Sequence, residues 1–212
     1  MKQTGGKISE LPTYALIDVS NIRSSCLKTC DFKIDFTKLY GYLEHKYPKL
    51  QDIRYYEGIA KGDKNKITEF KKLEKLGYII KSLSRKSYIN KAVIKNIECK
   101  ECHHKNRIKI LPQTKKLKSN VDVYLATELL EIEFLAKKPT HIILFSCDGD
   151  YAEAIKTAVK NPKIFITVIA TPPTKDTEKN TLSSRLKQLY KDIPTHYQLF
   201  NITNIKDYIS KN

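Results

Sequence analysis

The sequence predicts an α/β protein of three layers, α/β/α, in which helices cover both faces of a mostly parallel central sheet. Strand-type apolar runs alternate with amphipathic helix-type segments along most of the chain, the order typical of parallel strands joined by helices. At 212 residues the chain is long enough to bury one such core, and no long linker divides it. We therefore expect a flexible tail over residues 1–12 and a single domain over residues 13–212.

The first half of the chain supplies three strands and two helices. YALIDV, residues 14–19, is apolar except for Asp18, and such a run is typical of a buried strand. The runs at 52–59 and 78–84 are rich in β-branched and aromatic residues, which favour strands. Between the three strands, apolar residues at helical spacing predict helices over 35–47 and 67–77, the second of which ends in a glycine.

An insert and a second group of elements follow. Residues 86–112 have strand-type runs on both sides of a cysteine-containing turn, which predicts an inserted β-hairpin. The regular alternation then resumes, and a C-terminal extension begins at about residue 175 and runs to residue 212. The predicted elements are a helix at 120–137, strands at 141–147 and 164–170 with a helix at 151–160 between them, a helix at 180–191, a strand at 196–201 and a helix at 204–210.

Four aspartates stand where a strand ends or a helix begins: Asp18, Asp122, Asp148 and Asp150. Because the first and fourth strands of such sheets often lie side by side where the strand order reverses, we expect these side chains at one rim. Converging carboxylates repel one another unless a cation lies between them, and their oxygens suit Mg²⁺ or Mn²⁺. Asp122 and Asp150 could instead serve only as helix-start residues.

Positive charge is concentrated in one part of the chain. The net charge is +16, and residues 61–118 carry 18 Lys and Arg against 5 Asp and Glu. A concentrated basic surface favours nucleic-acid backbones, although a merely solvated lysine face would have the same composition. The insert offers both phosphate-binding cations and an aromatic ring that can stack on a base. We therefore predict a nucleic-acid-binding flap, with a plain soluble hairpin as the alternative; its contact residues are Tyr88, Lys95, Lys100, Lys105, Arg107 and Lys109.

The five cysteines predict reduced thiols or metal ligands in a cytoplasmic protein. We find no signal-peptide pattern and no apolar run near the roughly 20 residues of a membrane span, so no membrane partner is expected. Cys99 and Cys102 have the spacing of a zinc knuckle, and Cys26 and Cys30 could supply a second pair to complete a structural Zn²⁺ site. The alternative is a metal-free turn with reactive thiols.

Three segments together resemble a known family. DVSNI near the N-terminus, VDVYLATELL and SCDGDY are similar to the motifs of the NYN domain, also called DUF88 or LabA-like, within the PIN-like nucleases. The resemblance covers about residues 13–172. It implies a PIN-like, Rossmann-like fold and metal-dependent hydrolysis of RNA.

The resemblance also implies roles for individual residues. Asp18, Asp122, Asp148 and Asp150 match the acidic metal-site residues, and Asn21 and Ser146 match polar residues beside them, so all six are candidate catalytic residues. There are two departures: Cys147 stands where the family has a glycine, and Glu128 stands where a later helix acid is commonly Asp.

Two alternatives stay open. The chain could be an NYN-fold module that binds RNA without cleaving it, or, less favoured, a Toprim-like enzyme, since an Asp-Gly-Asp turn after a strand also occurs there. A phosphate-cradling nucleotide enzyme is disfavoured because neither glycine-rich fingerprint is present. Single-stranded DNA remains open as a substrate, and either a monomer or a homodimer is compatible with the sequence.

Overall fold

The computed structural model describes residues 8–90, 93–112, 114–176 and 180–211. A six-stranded, fully parallel sheet in the order β10-β9-β8-β1-β2-β3 forms the centre of the protein, which confirms the predicted α/β fold. The described strands are β1 (Thr13–Asp18), β2 (Leu50–Ile59), β3 (Tyr78–Ser84), β4 (Lys86–Asn90), β5 (Val93–Glu98), β6 (Lys105–Leu111), β7 (Thr114–Lys118), β8 (Thr140–Phe145), β9 (Ile164–Ala170) and β10 (Tyr197–Asn201).

Helices cover both faces of this sheet. The described helices are α1 (Val19–Ser25), α2 (Phe36–Lys46), α3 (Lys64–Leu76), α4 (Val121–Leu135), α5 (Ala152–Ala158), α6 (Ser184–Asp192) and α7 (Lys206–Ile209). Side chains of β2 show the two faces, since Tyr55 meets Arg23 of α1 while Tyr56 meets Glu128 of α4. A π-helical turn, Cys26–Cys30, continues α1, and 3-10 turns lie at Ile8–Glu10, Gly149–Tyr151 and Ile202–Ile205.

The central strands are the apolar runs of the sequence. All six residues of β8 are buried, and Ala15, Leu16 and Ile17 of β1 are fully inaccessible to solvent. A parallel strand is buried on both faces, so a continuous apolar run fits it better than an alternating one.

Capping residues explain where several helices differ from the predicted bounds. Asp63 caps α3 by accepting from the Lys66 N–H at 3.0 Å, so that helix begins at residue 64 instead of 67. Ser183 caps α6 in the same way, so the helix predicted at 180–191 begins at residue 184. Helix α1 was not predicted, and two further helices differ at their start. The helices predicted at 151–160 and 204–210 begin later than predicted because a 3-10 turn precedes each of them.

The insert is longer than predicted and forms a two-part arm. The arm extends over residues 86–118, instead of 86–112, because β4 pairs with β7 and β5 pairs with β6, both antiparallel. Its root packs closely against the sheet, since a Cβ atom on Gly58 of β2 would come within 2.1 Å of Ser119 Oγ. The predicted inserted hairpin is therefore confirmed, with a longer stem.

The N-terminal segment is folded from residue 8 and bonds to the sheet at Pro12. Ile8–Glu10 form a 3-10 turn, and the Pro12 carbonyl accepts a hydrogen bond from the His141 N–H at 2.8 Å. The predicted tail of residues 1–12 is thus too long at its C-terminal side, and residues 1–7 lie outside the described part. Among the helices that the structure describes, none is long and apolar enough to cross a lipid bilayer.

Candidate active site

The strand order reverses between β1 and β8, and polar residues follow both strands at that point. β1 and β8 pair in parallel, with Ile17 opposite Phe145, so Asp18 and Ser146 leave the sheet side by side. The prediction that the strands ending near Asp18 and Asp148 are neighbours is therefore confirmed. In open α/β sheets, ligands bind in the crevice at such a switch point.

Asp18 is the most buried aspartate at this rim. Its Oδ2 accepts hydrogen bonds from the Tyr151 hydroxyl at 2.9 Å and from Ser146 Oγ at 3.4 Å. Its Oδ1 accepts the Asn21 N–H at 3.2 Å and so caps α1. Burial raises the pKa of the Asp18 carboxyl to about 6, and the nearby charge of Asp148 adds to this increase. The three hydrogen bonds favour the charged form but do not offset the burial.

Asn21 and Ser146 hold the two chain turns together. Asn21 Oδ1 accepts the Cys147 N–H at 2.8 Å, which joins the turn after β1 to the turn after β8. Ser146 Oγ accepts the Asp148 N–H at 3.1 Å, and Asp148 Oδ1 accepts the Asp150 N–H at 3.0 Å. Each of these residues lies at the rim where the sequence placed it.

The Asp-Gly-Asp turn is closed from outside by α6. A Cβ atom on Gly149 would lie 2.1 Å from Ser183 Oγ and 3.0 Å from Ser183 Cβ. The Ser183 N–H also donates to the Cys147 carbonyl at 3.0 Å. Glycine is therefore required at position 149 by the close approach of α6.

Asp122 and Asp150 differ in their surroundings. Asp122 is exposed in the first turn of α4, and its charge, with those of Asp18 and Asp148, raises the pKa of the Tyr151 hydroxyl above the effect of burial alone. The three carboxylates therefore lie within electrostatic reach of one hydroxyl group. Asp150 is exposed and forms a surface ion pair with Arg185 at 3.6 Å.

Tyr151 is a site residue that the sequence did not reveal. It is 1% exposed, and its hydroxyl group binds Asp18 directly. The sequence signal for it is its position directly after the Asp-Gly-Asp turn. A buried tyrosine hydroxyl usually has a hydrogen-bond partner, and the nearby aspartates are candidates for that partner.

Glu128, the later helix acid, does not extend into the crevice. Lys81 Nζ lies 2.8 Å from its Oε1, while Arg54 at 2.7 Å and the Tyr56 hydroxyl bind Oε2. These three contacts lower the pKa of Glu128 despite its burial. The residue is a paired structural carboxylate between α4 and the sheet.

A family model matches the segment that builds this rim. The model of the NYN domain matches residues 12–188, which include both strands of the switch point and all four aspartates. The chain belongs to the NYN domain family. NYN domains are PIN-like nucleases, generally assigned to RNA cleavage and typically dependent on divalent metal ions.

One solved structure has a similar fold over its whole length. The crystal structure of a protein of unknown function from Vibrio parahaemolyticus RIMD 2210633 is similar over 100% of both chains, with a TM-score of 0.59 and 15% sequence identity. At this identity the likeness shows the fold alone. Phosphofructokinase-2 from Escherichia coli, in complex with potassium, matches 76% of this chain and 54% of its own with 8% identity. Its TM-score of 0.33 is too low to indicate a shared fold. No curated protein matches the sequence.

The donor set of this NYN domain fits a hard divalent cation. Asp18 and Asp148 offer only oxygen atoms, and neither has a Lys, Arg or His partner among the residues that the structure describes. Within the same residues, no three carboxylate, imidazole or thiol side chains are grouped closely enough to hold a metal ion. Mg²⁺ does not require such a cage, since it is usually bound by one or two carboxylates together with waters and substrate phosphates.

The four cysteines of the predicted zinc site do not form one group. Cys26 is buried, and the proximity of Cys30 and Cys147 adds to the effect of burial in raising the pKa of its thiol. Cys99 and Cys102 lie instead at the tip of the arm, where hydrogen bonds from the backbone of Cys102 and Glu101 lower the pKa of the Cys99 thiol. The predicted pairing of the two cysteine pairs has no support in the described residues.

The arm exposes the predicted nucleic-acid contacts. Lys105, Arg107 and Lys109 occupy alternate positions of β6, so they share one face of the arm. Beside its root, a groove of about 260 Å³ is lined by Tyr88, Lys86 and Lys118, among others, and reaches Asn120 at the start of α4. Tyr88, Lys95, Lys100, Lys105, Arg107 and Lys109 are all exposed.

Proposed function

We propose that this NYN domain is a ribonuclease that hydrolyses RNA phosphodiester bonds with Mg²⁺ or Mn²⁺. The observation that carries the proposal is the Asp18–Asp148 pair. The two carboxylates stand at the switch point of the sheet, and no described cation neutralises them. Burying a charge is costly unless it is paired, so an unpaired buried carboxylate favours a site completed by a bound cation.

Each polar residue of the rim has a role in this proposal. Asp18 and Asp148 would bind the cation directly, and Asp122 and Asp150 would complete the site directly or through water. A divalent cation at this rim would neutralise charge that develops on the phosphate oxygens and make a nearby water more acidic. Tyr151 orients the Asp18 carboxylate, Asn21 fixes the distance between the two turns, and Ser146 positions Asp148. No histidine is required as a general base.

The basic arm supports a polyanionic substrate. Its cations suit phosphate contacts, and Tyr88, which is 46% exposed, is available to stack on an unpaired base. The groove beside Tyr88 ends near α4, the helix that carries Asp122 at its start. RNA is the substrate favoured by the family, with single-stranded DNA as the nearest competitor, and the setting we infer is the cytoplasm.

A second candidate function is RNA binding without cleavage. The observation that favours it is the absence, among the described residues, of any group of three metal-binding side chains. A fold that retained its basic arm but had lost metal affinity would bind RNA and leave it intact.

A cleavage assay separates the two functions. Labelled single-stranded RNA, structured RNA and single-stranded DNA would be incubated with the protein in Mn²⁺, Mg²⁺ or EDTA. Asp18→Asn and Asp148→Asn test the site. Asp192→Asn, which changes an exposed aspartate at the end of α6, is the matched control. Cleavage that requires metal, is lost in both site variants and persists in the control would establish the nuclease. Tight binding with intact RNA in every condition would establish the binding module instead.

A further inference from the structure

The tip of the arm is a short turn with a defined shape. The Cys99 N–H donates to the His104 carbonyl at 2.9 Å, and the His103 N–H donates to the Cys99 carbonyl at 3.0 Å. His103 adopts a left-handed backbone conformation, with φ of 55°, which closes the turn directly after the second cysteine. Both cysteines of the Cys-x-x-Cys pair are therefore held in one compact loop at the end of a long hairpin.

This turn supplies half of a metal site. Cys-x-x-Cys is the ligand spacing of structural zinc sites, which are tetrahedral and closed by four ligands. Within the described residues, no third metal-binding side chain joins Cys99 and Cys102. The His103 ring instead contacts Glu98 at 3.1 Å, and Cys26 and Cys30 belong to a separate group beside Cys147. One copy of the chain therefore leaves the coordination incomplete.

The arm also exposes apolar side chains that a second arm could cover. Ile108 and Ile110 alternate along β6 with the three cations, so they lie on the opposite face of the arm. Ile97 is opposite Asn106 in the register and shares that face. These three side chains are 46%, 50% and 46% exposed. A two-stranded hairpin is marginally stable alone in water, so covering this face would stabilise it.

We propose that two copies of this chain share one Zn²⁺ at the tips of their arms, each copy contributing Cys99 and Cys102. A two-fold axis through the ion supplies four thiolates from two identical pairs, which completes the tetrahedral set. The four thiols release four protons to solvent on binding. Lys95 lies opposite Ile108 and therefore shares the isoleucine-bearing face. The isoleucine-bearing faces of the two arms then pack together, and the faces that carry the three cations of β6 stay free for nucleic acid.

The test uses the full-length protein, reduced and stripped of metal by a chelator, and then titrated with Zn²⁺. Bound metal would be measured by elemental analysis, and molar mass by light scattering. We expect one zinc ion per two chains and a doubling of molar mass that a chelator reverses. Cys99→Ser and Cys102→Ser should each abolish both effects while leaving RNA cleavage by the monomer intact. Cys30→Ser is the matched control and should change neither.

Three outcomes would overturn the inference. The protein could bind no zinc, it could bind one zinc ion per chain without a change in molar mass, or Cys30→Ser could lose its bound zinc. The last would favour a site within one chain built from both cysteine pairs. Because the arm tip is exposed, a serine there is not expected to unfold the domain, and circular dichroism would verify this.

Discussion

Buried carboxylates occur in two regions of the sheet, and the two regions neutralise them differently. Along β2, Glu57 contacts Arg23 and Lys66, at 3.1 and 2.8 Å. Glu128 is held in the same way by Arg54 and Lys81 on the opposite face. At the β1–β8 rim, by contrast, Asp18 has neutral hydrogen-bond donors and no cationic partner among the described residues.

The difference lies in the cations and not in the hydrogen bonds. A tyrosine hydroxyl donates to each of the three carboxylates: Tyr55 to Glu57, Tyr56 to Glu128 and Tyr151 to Asp18. The pKa of Glu128 is nevertheless lowered, while the pKa of Asp18 is raised to about 6. The protein itself therefore neutralises Glu57 and Glu128, whereas no described cation neutralises Asp18.

We expect the largest effect from Asp18→Asn. Because the charge that binds the cation is removed, the rate of RNA cleavage in Mn²⁺ should fall by at least about 100-fold. The thermal midpoint in EDTA at pH 8 should rise, since the folded state no longer buries an unpaired charge. Initial rates and thermal unfolding of both proteins test this, with Asp192→Asn beside them. Unchanged activity would contradict the assignment of Asp18.

Arg54→Met should lower the stability of the protein and leave its cleavage rate nearly unchanged. It leaves the buried Glu128 with one cation, so the free energy of unfolding should fall by about 3 kcal/mol. The cleavage rate of the folded fraction should stay within about 2-fold of the original, because Glu128 lies outside the crevice. Urea denaturation measures the first quantity. Adding Glu128→Gln to Arg54→Met should recover part of the loss, and a failure to recover it would show that Arg54 acts by packing alone.

Sequence patterns predicted the sheet because each strand is a local apolar run. They also placed Asp18 at the rim, because it is the last residue of a parallel strand. Asn21 and Ser146 were indicated by the family resemblance, and the structure brings both to the same rim. The position of Asp148 beside Asp18 followed from a topological rule and not from any local signal.

Contacts between distant segments could not be predicted in the same way. Glu128 is paired because Arg54 and Lys81 happen to lie on β2 and β3 beneath it, and nothing near residue 128 indicates this. The length of the arm also escaped prediction. The segment that follows residue 112 looks like a polar linker, and it becomes a strand only because β4 is available as its partner.

A pH series separates the two regions further. The pKa of Asp18 in the folded protein is about 6, which is above its usual value of 3.8. Asp18 therefore contributes most to the unfolding free energy below pH 4, and this contribution is lost as the pH rises through 6. In EDTA, the unfolding free energy of the original protein should fall relative to Asp18→Asn by roughly 1–3 kcal/mol between pH 4 and 7. His141, whose pKa burial lowers to about 4, acts in the opposite direction but cancels in this difference.

Metal should reverse that loss selectively. At pH 7, Mn²⁺ should raise the unfolding free energy of the original protein and leave that of Asp18→Asn nearly unchanged, because only the former binds the ion in its folded state. Equal stabilisation of the two proteins would place the cation elsewhere.

The smallest effect is expected from Arg185→Ala. Arg185 is the cation paired with Asp150, but the two side chains are 50% and 77% exposed. Such surface pairs contribute well under about 1 kcal/mol, so stability should barely change and cleavage should change by less than about 3-fold. Kinetics at low and high salt would test this. A large loss of activity at both salt concentrations would show that Arg185 contacts the substrate.

The hydrogen bond from Cys147 to Asn21 joins residues that are 126 positions apart. Since β1 and β8 border the same crevice, the two halves of the rim cannot meet until the ribosome has made the whole arm and α4. At about 5–20 residues per second, roughly 6–25 s separate the synthesis of Asp18 from that of Asp148. The two halves of the rim are therefore made several seconds apart, and the crevice between them cannot form before the segment that contains β8 has been synthesised.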